Sequence, residues 1–230
     1  MTRTATVLAG LVLAAGSALP ALGEQQSPVV VELFTSQGCS SCPPANANLI
    51  TLSQRPDVLV LSFAVTYWDR LGWKDTFGKP EFTDRQVIYE PPLQQFGPYT
   101  PQMVVNGRTT AVGNRLDEIE RLIEDAAPLS GPALDLGTAM LTIAAGQAPV
   151  AGADVWRVVY DPRTVEVPIG SGENIGRTLA HTHVVHALEN LGDWTGAALE
   201  LPVTPAPSGY KSAILLQTKN GGPILAAVTN

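Results

Sequence analysis

Both cysteines of the 230-residue chain fall in one short motif, Cys39-Ser40-Ser41-Cys42, directly after the apolar, β-branched run Val29-Val30-Val31-Glu32-Leu33-Phe34. The pattern reads as a strand, a turn, a C-x-x-C and the start of a helix. Two thiols three positions apart can close a disulfide only across a turn or a first helical turn, where N-terminal backbone amides also lower a thiolate's pKa. Such a pair suits electron exchange. An inert staple is the alternative, but closing so short a loop stabilises by only about 2 kcal/mol in the loop-entropy model, against about 5 kcal/mol for a loop of about 100 residues. Half of a metal site is a third reading, although C-x-x-C zinc sites normally need a second ligand pair.

Met1 to Gly23 reads as a secretory signal peptide, with Arg3 in a positive start, an apolar run from Ala5 to about Leu19, and Ala21-Leu22-Gly23 as a small-x-small cleavage site. The run is shorter and richer in Ala and Gly than the stretch of about 20 residues that a membrane anchor needs. No later stretch is long and apolar enough to span. The expected location is therefore the periplasm or the outside of the cell, an oxidising setting. Removing the positive charge of Arg3 takes the formal balance from −7 to −8, and no dense Lys/Arg patch is present. Nucleic acid is not expected as a partner. A hydrophobic content of 45% supports a core, while 21 Gly and 19 Pro point to many turns and a substantial β component.

Beyond the motif, Ala45 to Ser53 carries Ala47, Leu49, Ile50 and Leu52 at helical spacing, with Pro43 and Pro44 near its start, where backbone N–H groups lack intrahelical partners. Val58 to Val65 is a continuous apolar run, as in a strand buried on both faces. Strand, helix and strand make a βαβ unit with the cysteines at the carboxyl end of the first strand, the edge where open α/β sheets place their sites. Pro80 to Glu90 reads as a further helix. Asn106-Gly107, between Met103-Val104-Val105 and Thr109 to Val112, is a type I′ hairpin signal. Asn114 then caps a helix with Leu116, Ile119, Leu122 and Ile123 on one face. Between these, Tyr67 to Asp75 holds Trp68 and Trp73 among alternating charges. That segment is either a packed insertion or a wall over the cysteines that takes up a peptide or ligand.

The element order, with C-x-x-C after the first strand and Thr100-Pro101 just before the third, resembles the thioredoxin fold. The wider text V-E-L-F-T-S-Q-G-C-S-S-C-P-P, Y-W-D-R-L-G-W-K-D, Y-T-P-Q-M-V-V-N-G and G-E-N-I-G-R-T-L resembles the secreted thioredoxin-like family catalogued as domain of unknown function 1223. The thioredoxin resemblance implies that Cys39 is the exposed attacking cysteine, Cys42 the resolving one and Pro101 a cis-proline lying against the disulfide. It implies that Thr100 offers its backbone to an extended substrate segment. Glu32 matches a buried acid that moves a proton at the second cysteine, if one extra residue is allowed before Cys39. The dipeptide Ser40-Ser41, which tunes the thiolate pKa and the redox potential, departs from the thioredoxin pattern and leaves the direction of electron flow open.

After Ser130 to Pro132 the chain reads as strands: Leu134 to Ala145, Ala153 to Tyr160, Thr164 to Ile169, Arg177 to Leu188, Ala198 to Val203, Lys211 to Gln217 and Ile224 to Val228. All three histidines fall in His181-Thr182-His183-Val184-Val185-His186. On one strand His181 and His183 would share a face and His186 would point the other way, so the cluster is either a chance grouping or a transition-metal site. The expected fold class is α/β, a thioredoxin-like domain with a helical and aromatic insertion followed by a small, sandwich-like β-rich domain. Its expected divisions are a signal peptide over 1–23, the thioredoxin-like domain over 24–129 with the insertion at about 66–99, and the β-rich domain over 130–230. The leading functional expectation is a periplasmic thiol–disulfide oxidoreductase without a cofactor, acting on protein thiols or disulfides or on small thiols. A binding protein with a structural disulfide and a metal-handling protein are the alternatives.

Overall fold

The β-branched run before the cysteines forms β1 (Val29–Thr35), and the apolar run after them forms β2 (Val58–Ala64), with α1 (Pro43–Leu52) between. The computed structural model describes residues 27–230, so the expected signal peptide at 1–23 lies outside the described residues. A 3₁₀ turn (Asp69–Leu71) and α2 (Pro80–Val87) follow, then β3 (Gln102–Val105), β4 (Thr109–Val112) and α3 (Leu116–Glu124). The Asn106-Gly107 turn takes the type I′ form, both residues having positive φ at 51° and 63°. Helix α3 is capped by the extended backbone of Arg115, not by Asn114.

The second half supplies β5 (Leu134–Leu136), β6 (Met140–Ile143), β7 (Ala153–Asp161), β8 (Val165–Pro168), β9 (Thr178–His181), β10 (Val184–Trp194), β11 (Leu199–Pro202), β12 (Lys211–Thr218) and β13 (Ile224–Thr229). Two of the expected single strands are in fact two each. Leu134 to Ala145 folds into the β5–β6 hairpin, and Arg177 to Leu188 breaks at Thr182-His183, where His183 takes a positive φ of 49°.

The α/β expectation, a thioredoxin-like domain followed by a separate sandwich, is corrected by the sheet topology. The protein is mostly β, with three short helices among the described residues. One eight-stranded mixed sheet in the order β13-β12-β7-β10-β2-β1-β3-β4 draws on both halves of the chain. The join is the pairing of β10 parallel to β2 at Val184 and Ser62, reinforced by the Ser62 N–H donating to the His183 carbonyl at 2.9 Å. Strand β2 therefore has a partner on each side, and the later strands extend the first sheet instead of closing on themselves. A three-stranded sheet, β11-β6-β5, packs on one end, and β8 pairs with β9 alone.

Side-chain alternation along β1 sets two cores on opposite faces of the sheet. Val31 and Leu33 pack with Ala45, Leu49 and Leu52 of α1 and with Ile119 and Ile123 of α3. Val30 and Phe34 pack on the other face with Phe82, Tyr89, Val158 and Leu215. A third cluster lies between β7, β12 and the small sheet, around Trp194. No helix among the described residues is long and apolar enough to cross a membrane.

Candidate functional site

The carboxyl end of β1 delivers the chain into a tight loop. The Gly38 N–H donates to Ser36 Oγ at 3.0 Å and the Cys39 N–H to the Ser36 carbonyl at 3.1 Å. Cys39 and Cys42 are joined in a disulfide with their Cα atoms 5.5 Å apart, and Cys42 is the N-cap of α1. Both cysteines are at 0% exposure, while Ser40 and Ser41 face solvent. Pro43 and Pro44 fill the first two helical positions, so two backbone donors that would otherwise point toward a thiolate are missing. The expectation that helix-start amides acidify the thiol is weakened to that extent. The polar neighbour of Cys39 is Ser41, whose Oγ lies 3.3 Å from Cys39 Sγ and 3.5 Å from the Thr100 carbonyl.

Thr100-Pro101 reaches the site from the start of β3, with a cis peptide bond between the two residues. Trp68 Nε1 donates to Thr100 Oγ1 at 2.8 Å, and a Cβ placed on Gly38 would lie 3.2 Å from Trp68 Cβ. A side chain at position 38 would push against the base of the Trp68 side chain.

Gln37 anchors the loop through every polar group of its side chain. Its Oε1 accepts from Trp73 Nε1 at 2.9 Å and from the Thr76 N–H at 3.1 Å, and its Nε2 donates to Thr76 Oγ1 at 2.8 Å. The Gln37 N–H donates to Asp75 Oδ2 at 2.7 Å, and Asp75 Oδ1 accepts from the Phe77 N–H at 2.9 Å. Burial pushes the Asp75 carboxyl above its usual range against the pull of these amides. The connection from β8 to β9 then covers the cysteine loop. Asn174 Nδ2 donates to the carbonyls of Gln37 and Cys39, both at 2.9 Å, and Glu173 accepts from the Ser40 N–H at 3.1 Å.

The structure thus groups Cys39, Cys42, Thr100, Pro101, Trp68 and Trp73. Neither tryptophan forms an open wall. Trp68 is a half-buried brace between Thr100 and Gly38, and Trp73 is held by Gln37 beneath Gly170 and Gly172. Glu32 is not brought to the disulfide. Its side chain points to the face of Val30 and Phe34, away from α1, where Arg85 Nε donates to its Oε1 at 2.6 Å. A carboxylate held in that pair on the far side of the sheet is not placed to serve Cys42.

The three histidines also part company. His181 is 3% exposed and accepts at Nδ1 from Asn46 Nδ2 of α1 at 3.4 Å, which assigns the ring proton to Nε2, an atom without a partner among the described residues. His183 stacks on Tyr160, and His186 lies edge-on between Phe77 and Tyr210. Among the described residues no three His, Cys, Asp or Glu side chains group as a metal site. The residues that sequence reasoning missed are Gln37, Asp75, Asn46 and Asn174. Gln37, Asp75 and Asn174 each lie within the stretches that carry the family resemblance, and Asn46 alone carried no signal.

Fold and site together define a mostly β protein whose disulfide closes a C-x-x-C at a strand-to-helix junction under a loop contributed by the second half of the chain. The chain belongs to the family described as Protein of unknown function (DUF1223), whose model matches residues 30–217. A crystal structure of a protein from Agrobacterium tumefaciens is similar at 32% identity, covering 89% of this chain and 95% of that one, with a TM-score of 0.71. HBP35 of Porphyromonas gingivalis is 14% identical over 89% of this chain and 75% of that one, with a TM-score of 0.58, a likeness of fold alone. No curated protein matches the chain. These matches fix the family and do not extend to a thioredoxin-like superfamily.

Proposed function

We propose that the protein is a thiol–disulfide exchange protein of the periplasm or the extracellular space, acting through Cys39 and Cys42 on protein thiols or small thiols. The observation that carries this reading is the position of Ser41 Oγ between Cys39 Sγ and the Thr100 carbonyl, so that the disulfide has a polar, hydrogen-bonding neighbour instead of an apolar surround. In the exchange, a partner thiolate attacks Cys39 Sγ, the Cys39–Cys42 bond breaks, and Cys42 departs as a thiolate. A second partner thiolate then attacks the partner sulfur of the mixed disulfide and releases Cys39 as a thiolate. Two electrons pass from two partner thiols to the protein disulfide, leaving a partner disulfide and two protein thiols, and the reverse sequence oxidises a partner. The Ser41 hydroxyl, 3.3 Å from Cys39 Sγ, can donate to the thiolate that forms there.

The experiment is a redox titration of the Cys39–Cys42 couple against glutathione. A potential between about −270 and −120 mV, the span of known exchange proteins, supports the reading. With it, Cys42→Ser is expected to trap a mixed disulfide and Cys39→Ser to trap none. A second reading, a binding protein with a structural disulfide, is favoured by the zero exposure of both cysteines and by the prolines at the helix start. A potential below about −300 mV would select it.

A further inference from the structure

The backbone of the loop that carries Cys39 is held by a short segment with its own set of contacts. Residues 169–177, between β8 and β9, turn through Gly172 and Gly176 at φ of 75° and 78° and lie across the cysteine loop. Asn174 is at 0% exposure and bridges two carbonyls with one amide nitrogen. Arg177 donates to Asn174 Oδ1 at 2.9 Å, and this fixes the amide so that its NH₂ faces Gln37 and Cys39. Glu173 secures the neighbouring Ser40 N–H. Beside the buried Asn174, Ile175 is 64% exposed, a large apolar side chain at the rim of the cover.

A thiolate attacks a disulfide sulfur by direct approach, and neither sulfur-bearing residue here presents surface to approach. Resting on the exchange reading above, we propose that Asn174 is the access-determining residue of the site: its side-chain amide occupies the hydrogen-bonding positions on the Cys39 loop, and its withdrawal exposes the disulfide to an incoming thiol. An extended polypeptide carries the N–H groups that can take over the Gln37 and Cys39 carbonyls once Asn174 leaves, so a protein thiol is the partner that fits. Asn174 acts through the loop it pins and does not touch the reacting sulfur.

The test uses the oxidised full chain and dithiothreitol, with the rate of disulfide reduction read by alkylation and mass. Asn174→Ala removes three hydrogen bonds, two of them to the cysteine loop, and is expected to speed reduction about tenfold or more. Asn174→Asp, which sets a carboxylate against two carbonyls, should speed it at least as much, and Glu173→Gln less. A core variant in the separate cluster under the small sheet, Ile143→Val, serves as the control for general loosening. Faster reduction in Asn174→Ala than in a control of equal Tm supports the access role. Equal reduction rates in wild type and Asn174→Ala, or equal acceleration in the control, overturn it. Should Asn174→Ala fail to fold, hydrogen exchange of the Ser40 amide in the wild type decides: exchange well before global unfolding supports a cover that opens, and exchange only at the global rate overturns it. The redox reading fails separately, through a potential below about −300 mV, which leaves the reduction-rate comparison standing.

Discussion

Arg85 Nε lies 2.6 Å from Glu32 Oε1 with neither side chain exposed, an ion pair that ties α2 to the central strand β1. The other Glu32 oxygen accepts from the Tyr89 hydroxyl, and Gln217 of β12 accepts from Arg85 Nη1 at 3.3 Å and donates to Tyr89 at 3.0 Å. Burial holds the Tyr89 phenol well above its usual value, so it remains a donor across the accessible pH range. Removing one member of a buried pair leaves the other charge desolvated and unpaired, at a cost of about 3–5 kcal/mol. Arg85→Met should lose about that much in urea unfolding of the oxidised protein, and adding Glu32→Leu should recover a large part of the loss. A double variant no more stable than the single one would show that the pair is not the origin of the effect. Because Glu32 sits apart from Cys42, Glu32→Gln should leave the rate of thiol exchange unchanged.

That pair also marks how far the sequence could be read. An acid inside Val29 to Phe34 is legible as a buried group, and the C-x-x-C, the flanking strands and the Asn106-Gly107 turn all declare themselves through local spacing. The partner of Glu32 is 53 residues away, and Asn174 stands 135 residues from the cysteine whose carbonyl it holds. Neither contact leaves a periodic trace. The pairing of β10 with β2 is likewise long-range, and it decides the fold class, since it merges what reads as two architectures into one sheet. The histidine segment misled for a local reason. Thr182-His183 is a break between strands, with His183 at positive φ, which no alternation of apolar and polar residues announces.

Two glycines at positive φ separate backbone strain from packing. Gly209 (φ 86°) would have nothing within 4 Å of an added Cβ, so Gly209→Ala should cost only the left-handed backbone penalty, roughly 1 kcal/mol. Gly221 (φ 70°), in the β12–β13 turn, lies against the Ile88 carbonyl at the end of α2, where a Cβ would collide. Gly221→Ala should therefore cost about 2–4 kcal/mol, the same penalty plus overpacking. Equal Tm shifts for the two variants would argue against close contact between the turn and α2.

The shared sheet predicts how the chain unfolds. Cutting near residue 130 would strip β10 from β2 and leave β2 as an open edge, and it would take Gln217 away from Arg85. The full chain is expected to unfold in one cooperative transition, with tryptophan fluorescence and far-UV circular dichroism coincident. A fragment of residues 27–129 is expected to show no cooperative transition of its own. Two resolved transitions in the full chain, with the first reproduced by the fragment, would instead establish the division expected near residue 130.

His181 gives the protein a defined acid sensitivity. Burial lowers its pKa from 6.5 to about 4, because the charged imidazolium would sit between Asn46 and Phe77, shielded from solvent and without a counter-charge in contact. In the unfolded chain the ring binds a proton below about pH 6.5, while the folded protein resists until about pH 4. The unfolded state thus carries more protons in that window, and stability falls as the pH drops through it. At 1.36 kcal/mol per unit the gap corresponds to about 3 kcal/mol. His183 and His186 are shifted down as well and add to the slope in the same direction. Asp75, shifted up, opposes it, since its folded form takes up a proton first as the pH falls toward the carboxylate range. Urea unfolding of the wild type and of His181→Gln at pH 7, 6, 5 and 4 checks the assignment. The His181→Gln variant should be less stable at pH 7 but lose distinctly less stability on acidification, and parallel curves for the two proteins would place the acid sensitivity elsewhere.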